Sequence, residues 1–339
     1  MSTPFARYGR RRVQRRRCLA PVLAALLVAL VLPMIVVSPA SANAGGAVVS
    51  SYAAPGGSFW IATGADGALW FTNQGNSITR ITTSGTITTF TDPRILGAQW
   101  IAAGPDGAIW FGNGAGSSGI GRITTTGTVT IYTDPSISSP TGITAGSDGA
   151  IWFTDYFNGL IGRITTSGVI TSYTDPAISF PDEITAGPDG ALWFTDAYSA
   201  NGSDGSIGRI TTSGVITNYT DPTIGCPEGI TAGPDGALWF TNVCNNSIGR
   251  ITTTGTVTNY TKRGIRFPWG IAVGPDGALW FTSQDNGSIG RITTKGAINL
   301  YTDPTIECPQ GITAGPDSAL WFTNLCNNSI GRIALKRFA

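Results

Sequence analysis

The segment D-G-A-L-W-F, or a near copy of it, occurs seven times in the 339-residue chain. It places Trp70, Trp110, Trp152, Trp193, Trp239, Trp280 and Trp321 at intervals of 40, 42, 41, 46, 41 and 41 residues. A unit returning at that spacing is too small to bury an apolar face alone, so each copy must stack on its neighbours. Within a copy such as "GITAGPDGALWFTNVCNNSIGRITTTGTVTNYT", short apolar runs alternate with small or polar residues, and Gly, Pro, Asp and Asn separate them. That pattern reads as four short strands joined by tight turns. Four strands in roughly 40 residues is the blade of a propeller. The predicted fold is therefore all-β: a seven-bladed β-propeller with four strands per blade.

The chain ends fit a closed ring. The seventh copy stops after three strands, at "SIGRIALKRFA", and "GAVVSSY" (46–52) repeats the fourth-strand spacing of "GTVTIYT" (127–133). The N-terminal strand is expected to complete the last blade, which leaves no open edge. The propeller is placed at 45–333, with 334–339 as a C-terminal tail.

Cys226 and Cys244 are symmetric about Asp235, and Cys308 and Cys326 about Asp317. Each aspartate sits in a hairpin turn, so each pair faces across two antiparallel strands within disulfide reach. Two bonds inside single blades are expected, Cys226–Cys244 and Cys308–Cys326. Cys18 has no partner of this kind.

Residues 1–42 read differently. Arg7, Arg10, Arg11, Arg12, Arg15, Arg16 and Arg17 precede an apolar run from Leu19 to Val37, and small residues follow at Ala40, Ala42 and Ala44. A basic head, apolar middle and A-x-A end describe a secretory signal peptide, with an uncleaved anchor as the alternative. Secretion is expected, and the disulfides suit it. Without these seven arginines, 14 of the 21 Lys and Arg remain against 20 Asp and Glu. A net charge near −6 argues against a nucleic-acid partner. A monomer is expected.

The repeated polar residues read as architecture. The turn aspartates (Asp66, Asp106, Asp148, Asp189, Asp235, Asp276, Asp317) are turn formers that bond local backbone. The arginines of the third strand (Arg80, Arg122, Arg163, Arg209, Arg250, Arg291, Arg332) recur once per blade and are expected to bond blade to blade. The seven repeat tryptophans are expected between blades, in the core.

Function should sit where the copies differ. Before the common G-I-T, the copies read Phe59-Trp60, Gln99-Trp100, Thr141-Gly142, Asp182-Glu183, Glu228-Gly229, Trp269-Gly270 and Gln310-Gly311. These positions are assigned to the loop entering the first strand. The loop joining strands two and three reaches the same face and adds Asp155, Tyr156 and Phe157, then Asp196 and Tyr198, with an insertion in "DAYSANGSDGS". Polar groups beside an aromatic wall suit a small molecule, peptide or sugar. Trp60, Trp100, Trp269, Tyr156, Tyr198 and Gln310 are the candidate ligand-binding residues. Crowded carboxylates raise one another's pKa or hold a hard cation. Asp155, Asp182, Glu183, Asp196 and Glu228 are therefore candidate ligands for Mg or Ca, and Asp182, Glu183 and Glu228 candidate acid–base groups. The bland alternative is that Trp60 and Trp100 plug the channel.

The repeat text "PxGITAGPDGALWFT…N.IGRITT.G.IT.YT" resembles the blade of the virginiamycin B (streptogramin) lyase family, from about Gly45 to Ile333. The resemblance implies a seven-bladed ring and, for active members, magnesium-dependent elimination that opens the ester of a cyclic depsipeptide. It also implies catalytic residues at positions where this chain carries others. Trp269 stands where a histidine is expected, Cys308-Pro309-Gln310 where Glu-Pro-His is expected, and Asn324-Leu325 where a glutamate is expected. The chain contains no histidine at all. Two functions stay open: a binding propeller using the aromatic and acidic face, and a divergent metal-dependent C–O lyase or hydrolase using carboxylates.

Overall fold

The structure, a computed structural model, describes residues 41–42, 48–73, 75–114, 118–198 and 205–335. All of the expected leader except Ser41–Ala42 lies outside these residues, as do 199–204 of the blade-four insertion and 336–339 of the tail. Among the described residues no helix is long and apolar enough to cross a membrane.

The chain forms seven antiparallel sheets, six of them winding outward in sequence order. Blade five shows the pattern: Pro227–Ala232 lies innermost, then Ala237–Asn242, Ser247–Thr252 and Val257–Thr261. The first strands of neighbouring blades pack side by side around one axis. Pro309–Ala314, Ala319–Asn324 and Ser329–Ala334 make the inner part of the last blade. Val48–Ala53 completes it, pairing from Val48 opposite Ala334 to Ala53 opposite Ser329. Ser41–Ala42 adds a short outer strand against Val48 and Val49.

Each repeat tryptophan is fully buried. Trp152 packs with Ile184, Leu192 and Phe194 of the next blade, and Trp239 with Ile271, Leu279 and Phe281, which places these rings between blades as expected. On its own sheet, each stacks on a ring of the fourth strand; Trp110 and Tyr132 lie 5.5 Å apart. The next blade closes over that ring with a turn glycine. Gly168 has φ +94°, and a Cβ there would sit 2.5 Å from the Tyr132 ring. Any side chain at this turn would therefore force the blades apart.

The once-per-blade arginines correct the expectation of bonds between blades. Arg122 Nε donates to Asp106 Oδ2 at 2.6 Å in its own blade, while Trp110 Nε1 donates to Asp106 Oδ1 at 3.0 Å. The guanidinium also lies 5.9 Å from the Trp110 ring centre. One aspartate thus fixes the turn, the core indole and the third strand together. Burial alone would raise the Asp106 pKa, but the indole, guanidinium and amide bonds together lower it below the usual carboxylate value.

Both disulfides form as expected, with Cα–Cα distances of 5.3 and 5.5 Å. Each closes a sequence separation of 18 residues, for which loop-closure entropy gives about 3 kcal/mol. Replacing Cys226 and Cys244 together by Ser should lower the unfolding free energy by about that amount. Urea denaturation under oxidising conditions measures it, and added reductant should bring the parent toward the variant.

Candidate functional site

The residue pairs that differ between copies lie inside the first strands, which corrects their assignment to a loop. Each first strand carries a bulge at this point. In blade four, Pro181 pairs with Asp196 and Ile184 with Phe194, so Asp182 and Glu183 together oppose the single Thr195. A bulge re-aims side chains without leaving the sheet, and it recurs in all seven blades.

A threonine of the second strand clasps most of these bulges. Thr195 Oγ1 accepts from Glu183 N–H at 3.0 Å and donates to the Glu228 carbonyl of the next blade at 2.7 Å. Thr241 does the same for Gly229 and Trp269, Thr282 for Gly270 and Gln310, and Thr323 for Gly311 and Phe59. Blade two has Gly112 at this position, and a Cβ there would come within 2.6 Å of the Pro140 carbonyl. The clasps hold the variable residues at fixed depth around the axis.

The variable residues divide into two arcs. On one arc, Trp60 and Trp100 stack with ring centres 5.1 Å apart, and Phe59 meets Trp100 edge-on at 5.8 Å. Trp269 packs against this cluster and stacks on Phe267 at 5.5 Å. Trp60 and Trp100 are only 6% and 7% exposed, so they fill that side of the channel. The indole N–H groups of Trp60, Trp100 and Trp269 are buried, and none has a hydrogen-bond partner. Gln310, between them in blade seven, is also buried, and its carbonyl accepts from Thr282.

The other arc is acidic and phenolic. Asp182 and Glu228 share a hydrogen bond, and both pKa values are raised, foremost by burial. Glu228 is pushed further up by the charges of Asp182 and Glu183. Glu183 is also raised well above the ordinary value by burial, although its Oε2 accepts from Ile230 N–H at 2.9 Å. Glu183 and Glu228 keep some solvent exposure, whereas Asp182 is buried and its Oδ1 has no partner. Burial first, then the nearby charges of Asp182, Glu228 and Asp196, raises the Tyr156 hydroxyl. Phe180 sits between Tyr156 and Tyr198, with ring centres 5.3 and 6.4 Å away.

Asp155 and Asp196 do something else. Asp155 accepts from the N–H groups of Ser138, Ser139 and Asn158. Asp196 accepts from Ser179 and Phe180, and burial still pushes its pKa up to about 6. Asn113, Asn242 and Asn324 receive the equivalent loop N–H groups in other blades. These two carboxylates therefore hold the loop that enters the first strand.

Magnesium demands near-octahedral oxygen ligation. Here Asp155 and Asp196 are engaged by backbone amides, one Glu183 oxygen is engaged by Ile230, and Asp182 and Glu228 bond each other. Among the described residues, no group of three or more His, Cys, Asp or Glu could hold a metal ion. The residues present do not fit the ion. Phe180, Phe267 and the threonine clasps escaped the sequence reading. The two phenylalanines each precede the proline that opens a blade, where other copies carry Gly97, Ser139, Cys226 or Cys308.

The profile of the virginiamycin B lyase family matches residues 47–202 and 175–337. The chain belongs to that family. A streptogramin B lyase structure superposes with a TM-score of 0.78 at 37% identity, covering 86% of this chain and 98% of that one. The virginiamycin B lyase of Staphylococcus aureus gives 0.78 and 37%, with 86% and 100% covered. A catalytically inactive histidine-to-alanine variant of the S. aureus enzyme, crystallised with quinupristin, gives 0.78 and 36% over the same shares. Hydrazine synthase of Kuenenia stuttgartiensis, at 16% identity, shares the fold with a TM-score of 0.73. No curated protein matches the chain.

Proposed function

We propose that this member of the virginiamycin B lyase family is a secreted binding propeller. It holds an apolar, amide-rich ligand at the channel mouth and does not cleave it. The observation that carries this reading is the pairing of the two arcs. Unpartnered indole N–H groups of Trp60, Trp100 and Trp269 lie on one side, and the hydrogen-bonded Asp182 and Glu228 on the other. A buried donor without a partner costs free energy that a ligand carbonyl can recover, and aromatic walls supply contact area.

Catalysis is disfavoured on chemical grounds. Opening a depsipeptide ester by elimination breaks a C–O bond after a base takes the proton beside a carbonyl, and the leaving carboxylate oxygen must be stabilised. In the S. aureus relative, a histidine-to-alanine variant is catalytically inactive; this chain has no histidine. Secretion is supported by the two disulfides and by residues 1–42, read as an export signal. The second reading, a divergent lyase, is favoured by the raised pKa of Glu228, because a carboxylate titrating nearer neutrality is a better general base.

Quinupristin separates the two. Titration of the purified propeller should quench tryptophan fluorescence saturably, and Trp269→Ala should weaken binding at least about tenfold, as for a central aromatic anchor. The ring should stay intact. An elimination product has the mass of the ring, so chromatographic retention and fragmentation must report it. Linear product that disappears in Glu228→Gln would establish the lyase. Absence of saturable binding would end the depsipeptide reading.

A further inference from the structure

We propose an oxyanion-binding site outside the channel mouth, in a cleft of about 430 Å³ lined by Asn245, Asn246 and the connection from Thr261 to Arg266. Its ligand class is a phosphate ester of a small polar molecule.

The site arises where one connection reverses the charge of the repeat. Between the fourth strand of one blade and the first strand of the next, five connections read Asp92-Pro93, Asp134-Pro135, Asp175-Pro176, Asp221-Pro222 and Asp303-Pro304, and a sixth, after Val48–Ala53, reads Ala54-Pro55. Each of these aspartates accepts the N–H two residues on and so caps the turn. From blade five to blade six the same positions are Lys262-Arg263, followed by Gly264, Ile265 and Arg266. The backbone turn is kept, since Ile265 N–H still reaches the Lys262 carbonyl at 3.2 Å, as Ile95 reaches Asp92 at 3.0 Å. What is lost is the carboxylate cap, and what is gained is a reversal of charge. Ala54 also lacks the carboxylate, but only at 262–266 do basic residues take its place, and a local rule broken by a charge reversal points to use rather than to packing.

The charges are free to act. Lys262, Arg263 and Arg266 are exposed, and no described carboxylate forms an ion pair with any of them. The eight arginines elsewhere in the described propeller are all ion-paired with an aspartate. No Asp or Glu lines the cleft. Lys262 Nζ gives one proton to the Ile298 carbonyl and keeps two. Asn246 uses its Oδ1 on Phe267 N–H at 2.7 Å, which leaves its NH2 as a donor.

Two guanidinium forks and an ammonium match a doubly charged tetrahedral oxyanion better than a single carboxylate. The cleft falls within the usual range of small-molecule sites, roughly 300–1,000 Å³, and exceeds what a bare ion needs. An ester with a polar body fills it.

The test uses the chain's own repeat. Lys262→Asp combined with Arg263→Pro restores the Asp-Pro found in five other connections, so this variant should fold at least as well as the parent, checked by its melting temperature. Calorimetric titration with glycerol 3-phosphate, inorganic phosphate, sulfate, acetate and glycerol then reads binding. The parent should bind glycerol 3-phosphate more tightly than sulfate or acetate and should ignore glycerol. The folded variant should lose affinity roughly 30-fold or more, as two charge-assisted contacts disappear. Arg266→Gln should weaken binding on its own. Equal weak binding of every anion, unchanged in the variant, would overturn the proposal, and so would no binding of the ester by the parent.

Discussion

At pH 8, Glu228→Gln should withstand more urea than the parent, and at pH 4 the two should unfold together. Glu228 is raised well above its ordinary value, foremost by burial and then by the charges of Asp182 and Glu183. A carboxyl group whose folded pKa exceeds its unfolded value, about 4.3, binds its proton more tightly in the native protein. The resulting stability is complete below that unfolded value and is lost as pH rises through the folded one. The amide introduced by Glu228→Gln cannot ionise and can still donate to Asp182, so the loss should not occur. Each tenfold change in acid dissociation is about 1.4 kcal/mol, so the gain at pH 8 reads out the size of the shift directly. Asp196, pushed up to about 6 by burial, has the same sign and remains in the variant, so the slope should shrink rather than vanish. The turn aspartates have lowered values, and their contribution is lost instead as pH falls below the ordinary carboxylate range. They are present in both proteins and cancel in the difference. Identical stability at pH 8 would mean that Glu228 is solvated and that the acidic arc costs the fold nothing.

That cost bears on function. The other copies place Gly, Gln, Thr or an aromatic residue at these bulge positions, so the architecture does not require acids there. A destabilising pair kept at the mouth of a rigid ring is a mark of a site.

The blades were legible because a repeat announces itself through spacing. The tryptophans fix the period, the truncated seventh copy demands a closing strand, and the symmetry of each cysteine pair about a turn aspartate implies its partner. The acidic and aromatic residues were found by comparing copies, and the bulges bring them to one axis. The bulge itself was not legible. Whether Asp182 and Glu183 oppose one residue or two is a property of hydrogen-bond register, and the letters P-D-E-I-T read equally as a loop running into a strand. The arginines misled for a related reason. A residue once per blade can bond within its blade or across to the next, and only the distance to Asp106 decides. Asp155 and Asp196 looked distinctive as acids among asparagines. A carboxylate and an amide oxygen can each accept a backbone N–H, so the two residue types fill the same place in the blade.

Thr195→Val tests whether the clasps position the site. Valine matches threonine in shape but lacks the hydroxyl, so Glu183 N–H loses its acceptor at 3.0 Å and the Glu228 carbonyl its donor at 2.7 Å. Each buried backbone group left without a partner costs about 1–3 kcal/mol, for an expected loss of roughly 2–5 kcal/mol in urea denaturation. Thr195→Ser keeps the hydroxyl and should lose much less, since only a methyl group goes. Thr72 accepts from Trp60 N–H at 3.1 Å in the equivalent place, so clasps at both arcs hold variable residues by their backbones. The functional consequence follows from coupling. If Thr195 sets the depth of Glu183 and Glu228, combining Thr195→Val with Glu228→Gln should depart from additivity by more than about 0.5 kcal/mol, as contacting residues do. Quinupristin affinity should fall with Thr195→Val and return with Thr195→Ser. A Thr195→Val protein that loses stability but binds as the parent does would confine the clasp to architecture and leave the acidic arc to be positioned by packing alone.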